Sequence, residues 1–157
     1  TPSKLYKLNL AAGFLHLVQA IVVLVVSKSF TIPVSANFLA FDDSTQTLQP
    51  ASTSIFGLSL PLLIASFFFL SAFFHFFIAT VYRKKYESDL KLGINRARWI
   101  EYSLSASIMM VAISTLVGVY DFSSLLMIFA LTSVMNLMGL VMEVHNQTTK
   151  KNRLAEL

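Results

Sequence analysis

RWIEYS, Arg98 to Ser103, places a carboxylate, Glu101, where a basic stretch gives way to a long apolar one. Arg83-Lys84-Lys85 lies behind it, and Ile108 to Val119 runs ahead of it without a charge. If that run crosses a membrane, Glu101 sits inside the edge of the hydrocarbon. An ionisable group there is expensive, so it is either neutralised or put to use.

The composition decides for the membrane. Of 157 residues, 55% are hydrophobic and 13% are charged, whereas a soluble domain carries about 25% charged residues. Mean hydropathy is +0.69. There is no cysteine, which excludes disulfides and thiolate metal sites. The net charge of +4 does not point to nucleic acid, because the cations stand in short clusters between apolar runs rather than over one face of a soluble domain.

Four segments are long enough to cross roughly 30 Å of hydrocarbon as helices: about Leu8–Ser27, Ile55–Tyr82, Ala97–Tyr120 and Phe122–Val144. They predict an all-α transmembrane bundle forming a single domain over residues 1–157. Pro61 falls near the start of the second span, where a missing N–H does least harm. The first span competes with a signal peptide, but its apolar run exceeds the usual h-region and contains His16 and Gln19, so a retained span is expected.

Four spans put the N-terminus, the second connection and the C-terminus on one side. Eleven of the twelve Lys and Arg residues lie there, against Lys28 on the other side with Asp42, Asp43 and Asp121. The positive-inside rule therefore predicts a multi-pass protein of the cell membrane with a cytoplasmic N-terminus. Tyr120-Asp121-Phe122 reads as a tight external turn that makes the last two spans antiparallel neighbours. The first external loop, residues 28–53, is too long for a bare connector. Thr31–Phe41 is rich in β-branched and aromatic residues, and Asp42-Asp43-Ser44 supplies a turn before Thr45–Leu48, so a small β-hairpin is expected. Residues 83–96 read as a cytoplasmic loop.

Strongly polar groups are few inside the spans. His16 and Gln19 share a helix face, as do Ser71 and His75, and Glu101 and Ser105. Measured from each cytoplasmic end, His16 lies about 12 Å deep, His75 about 10 Å, and Glu101 several ångström. Three such faces at similar depth predict convergence on a hydrated pocket in the cytoplasmic half. Two simpler readings stand beside this one. A lone histidine can merely hydrogen-bond a neighbouring helix, and Glu101 can pair with Arg98, one turn earlier. The seven phenylalanines between Phe67 and Phe77, and Met109, Met110, Met135 and Met138, read by spacing as lipid-facing or packing residues. Glu143 and His145 read as interfacial groups. No nucleophile–base pair, phosphate loop or carboxylate dyad appears, so no enzyme chemistry is expected.

AGFLHLVQ (Ala12–Gln19), LSAFFHFF (Leu70–Phe77) and RWIEYSLSASIMM (Arg98–Met110) closely resemble the first three helices of heliorhodopsins. The resemblance extends over all four spans and is most specific in the third. It implies a light-sensing photoreceptor that binds all-trans retinal, with a cytoplasmic N-terminus and a signalling role rather than ion pumping. Glu101 falls at the position of the counterion to the protonated retinal Schiff base. His16, Gln19, Ser71, His75 and Tyr102 match a polar cavity on the cytoplasmic side, toward which a proton would move after illumination. Ser105 and Met109 fall where the third helix would face retinal, and Thr132 and Asn136 are neighbours of the pocket by a looser match. The resemblance also implies a homodimer with contributions from the hairpin and the fourth span. One departure is large. The family has seven helices and holds retinal on a lysine of the last, whereas every lysine here stands in a flank or loop; the chain is therefore expected to be the N-terminal part of such a protein.

Two other classes compete. A four-helix haem or quinone protein would use His16 and His75 as ligands, which leaves the third-span sequence without a purpose. A channel or transporter subunit would place polar residues in both membrane halves, whereas the external half is almost wholly apolar.

Overall fold

A computed structural model describes residues 2–155. In chain order it contains α1 (Pro2–Val26), β1 (Thr31–Asp42), β2 (Thr47–Ser59), α2 (Leu60–Ala79), α3 (Arg83–Lys91), α4 (Arg96–Leu116) and α5 (Phe122–Ala155). Helices α1, α2, α4 and α5 are each long and apolar enough to cross a membrane. They stand in an open row: α1 packs on α2, α2 on α4, and α4 on α5.

Small residues let α1 and α2 approach closely, which is how helices pack when lipid removes the hydrophobic drive between them. Ala20, Ala65 and Ala72 are all buried. At Gly13 the ring of Phe76 already stands where a Cβ would make tight contact, and Phe14 meets the same ring edge-to-face at 5.2 Å. Between α4 and α5, Trp99 lies flush against Gly139, so that any side chain there would collide with the indole. Two of the serines buried along α4 bond within their own helix: Ser103 Oγ donates to the Ile100 carbonyl and Ser107 Oγ to that of Ser103.

The connection between the second and third spans differs from the sequence reading. Residues 83–96 are not a bare loop, because α3 forms within them. Its charges pair one turn apart, Arg83 with Glu87 at 2.9 Å and Lys85 with Asp89 at 3.5 Å. Asp89 is 2% exposed and is also reached by Arg96 at 3.6 Å and by the Tyr82 hydroxyl at 3.1 Å. Gly93, at φ +71°, then ends α3 in a Schellman motif, with its N–H donating to Leu90 O and that of Ile94 to Asp89 O. Asn95 caps α4 by accepting from Arg98 N at 3.2 Å.

The hairpin is confirmed and is longer than expected. Its second strand is Thr47–Ser59 rather than Thr45–Leu48, so α2 begins at Leu60 rather than near Ile55. Ile55 to Ser59 are apolar enough to read as helix, but pairing with β1 takes them, and Pro61 in the first turn of α2 marks the true start. Ile55 itself is the extra residue of a bulge between the Val34–Phe56 and Ser35–Ser54 pairs. There the Ser35 N–H donates instead to Tyr120 O at 2.9 Å. Asp121 completes this attachment by accepting from Asn37 Nδ2 at 3.0 Å while capping α5 through Ser124 N at 2.8 Å.

Candidate functional site

A cleft of about 340 Å³ opens among α1, α2 and α4, toward the end of the row that carries α3. Its walls are Asn9 and His16 of α1; Phe67, Ser71, His75 and Ile78 of α2; Tyr86 of α3; Asn95; and Arg98, Glu101, Tyr102 and Ser105 of α4. Six of the residues singled out by sequence, His16, Ser71, His75, Glu101, Tyr102 and Ser105, thus line one cleft.

The two histidines stack, with ring centroids 5.5 Å apart and planes within 13°. His16 Nδ1 lies 3.0 Å from Gln19 Oε1, which brings Gln19 into the network although it does not line the cleft. His75 Nδ1 lies 2.9 Å from Asn9 Oδ1. Each ring thus turns its Nδ1 to its own amide oxygen, on Gln19 and on Asn9.

Glu101 is 7% exposed, and Ser71 is its polar neighbour across the α2–α4 contact. Its carboxylate has no cation within ion-pair distance among the described residues. Arg98 does not pair with it. The guanidinium turns to α5, where Nη2 meets Glu143 Oε1 at 3.3 Å, and it lies 4.8 Å over the Trp99 ring. Glu143 also accepts from Trp99 Nε1 at 2.6 Å and from Asn95 N at 2.9 Å. Glu143 is therefore the clasp that joins α5 to the start of α4, and this draws Arg98 away from Glu101. His145 is exposed.

Met109, Thr132 and Asn136 do not line the cleft. Met109 is 40% exposed, and the Asn136 amide donates to the Thr132 carbonyl on α5. Conversely, the sequence reading missed Asn9, Tyr86 and Asn95. Asn9 had a legible signal, since it stands two turns before His16 on the same face. Asn95 and Tyr86 had none, because the fold of the α3–α4 connection brings them in.

Four candidate spans, three of which enclose a polar cleft with a buried acid and a histidine pair, define a polytopic helical membrane protein. A family model described as heliorhodopsin matches residues 5–156. The chain belongs to the heliorhodopsin family, whose members are retinal-binding photoreceptors and generally not enzymes. A comparison with curated proteins gave no match.

Proposed function

We propose that this chain builds the counterion side of a light-sensing retinal site, with Glu101 as the counterion and His16 and His75 as the proton-accepting cavity. The observation that carries this reading is a carboxylate 7% exposed whose candidate cation one turn earlier, Arg98, is committed to Glu143. A buried acid in that state is costly unless a positive group is brought to it. The residues present fit the family's cofactor: an apolar wall from Phe67 and Ile78, an acid, and two imidazoles within one cleft. None of the lining residues is a lysine, and the one cation among them, Arg98, is held by Glu143. Retinal, when bound as a protonated Schiff base, supplies the light absorption and that cation. Ser71 orients the acid, and the histidine pair offers basic nitrogens on the wall beside it.

The clustered cations support a cytoplasmic N-terminus, which puts the cleft in the cytoplasmic half of the membrane. No second carboxylate continues inward from Glu101 along the cleft, which favours signalling over pumping. A homodimer through the hairpin and α5 fits the exposed Phe38, Leu39, Met135 and Met142 on those elements.

The test is a pH titration of the absorption spectrum of Glu101→Gln in the pigment. A negative charge near the Schiff-base nitrogen stabilises the ground state more than the excited state, in which positive charge moves toward the ring. Neutralising it shifts absorption to longer wavelength. The pH at which the visible band is lost also falls, by about one unit for every 1.4 kcal/mol of ion-pair energy removed. A parental maximum together with a parental titration overturns the assignment.

A further inference from the structure

The contact between His75 Nδ1 and Asn9 Oδ1 specifies where a hydrogen sits. Asn9 is buried, and its other amide atom, Nδ2, donates to the Leu5 carbonyl one turn back at 3.0 Å. That commitment decides which way the amide faces. The reverse orientation would set two oxygens, Asn9 Oδ1 and Leu5 O, against one another in a buried place and lose this hydrogen bond. With the NH2 group held by Leu5, the atom turned to His75 is an oxygen, and an amide oxygen only accepts. The hydrogen of neutral His75 is therefore on Nδ1, at 2.9 Å from its acceptor, and Nε2 carries the free lone pair.

We infer that Asn9 is a positioning residue: through the Leu5 carbonyl it fixes the tautomer of His75, leaving Nε2 as the basic nitrogen available to the cleft. His16 is held differently. Its Nδ1 meets Gln19 Oε1 at 3.0 Å, but no further hydrogen bond anchors the Gln19 amide among the described residues. An amide free to rotate can offer either its oxygen or its NH2, so His16 adapts its tautomer while His75 does not. The stacked pair thus combines one preset acceptor with one adjustable neighbour. What the Nε2 lone pair then does rests on the proposed function; the tautomer itself does not.

The tautomer is read directly by multiple-bond 1H–15N correlation spectra of the 15N-histidine-labelled protein in lipid nanodiscs. The spectra are recorded in the dark at mildly alkaline pH, where ordinary histidine is neutral, and His75→Phe assigns the resonance. The expected spectrum shows His75 as the Nδ1–H tautomer alone. Asn9→Leu should lose that purity and populate the Nε2–H form. Asn9→Asp, whose carboxylate accepts from the same nitrogen, should restore a single Nδ1–H tautomer. His75 found as Nε2–H in the parent, or unchanged in Asn9→Leu, overturns the inference. Should Asn9→Leu not fold, Asn9→Ala makes the same comparison without added bulk, and the parent spectrum by itself still decides the tautomer. A failure of the counterion reading appears instead in the Glu101→Gln titration and leaves these spectra untouched.

Discussion

At the scale of single residues, the clasp at Glu143 shows how one carboxylate organises another. Its two oxygens accept from the Trp99 indole, the Asn95 backbone and the Arg98 guanidinium. Glu143→Ala leaves the indole N–H and the Asn95 N–H without a partner at the α4–α5 contact. Unsatisfied buried donors of this kind cost about 1–3 kcal/mol each, although Glu143 keeps 20% side-chain exposure and water can recover part of that. The expected outcome is a loss of about 2 kcal/mol, read as a lowered thermal midpoint in detergent, with Glu143→Gln intermediate because one oxygen remains. Gly139→Leu should be at least as damaging, since its side chain meets the Trp99 ring. A midpoint unchanged in both variants would mean that the clasp is not what fastens these helices.

The elements outside the spans carry their own chemistry. The hairpin is held to the α4–α5 turn at Ser35, Asn37 and Asp121. Hydrogen bonds from the Ser124 backbone and hydroxyl, and then from Asn37, hold the Asp121 carboxyl below its ordinary range. A depressed carboxylate contributes stability that is fully present above the unfolded value, about 3.9, and lost as pH falls through the folded one. Acidification below about pH 4 should therefore loosen the start of α5 and free the hairpin. Amide protection at Ser35 and Ser124, corrected for intrinsic exchange, should fall together there. Asp121→Asn should flatten that dependence, and Asn37→Ala should reduce protection at Ser35 while sparing Ser124. At the opposite end, burial and the bond to Asp89 push the Tyr82 hydroxyl above its ordinary range, so that anchor of α3 persists through neutral and mildly alkaline pH.

For the whole molecule, the orientation in the membrane is open to a simple test because the chain has no cysteine. Ser44 in the hairpin turn and Ser88 on α3 are both exposed. A cysteine at Ser44 should react with an impermeant thiol reagent applied to intact cells, and one at Ser88 only after the cells are opened. Labelling of Ser88 alone from outside would invert the topology. Much of this level was readable beforehand, because hydrocarbon enforces a coarse code of apolar length and flanking charge. The spans, the hairpin, the tight turn at Asp121, and the meeting of His16, His75 and Glu101 follow from that code and from helical periodicity. The sequence alone could not rank competing partners. Ile55 to Ser59 suit helix or strand, and β1 decided. Arg98 had an acid at Glu101 one turn ahead and another at Glu143 far along the chain, and the α4–α5 packing chose the second. Asn9 became part of the site only once α2 set His75 beside it. Local pattern determines which segments enter the membrane and which faces are polar; only the packed row of helices determines which polar group satisfies which, because that choice depends on distances between residues far apart in the chain.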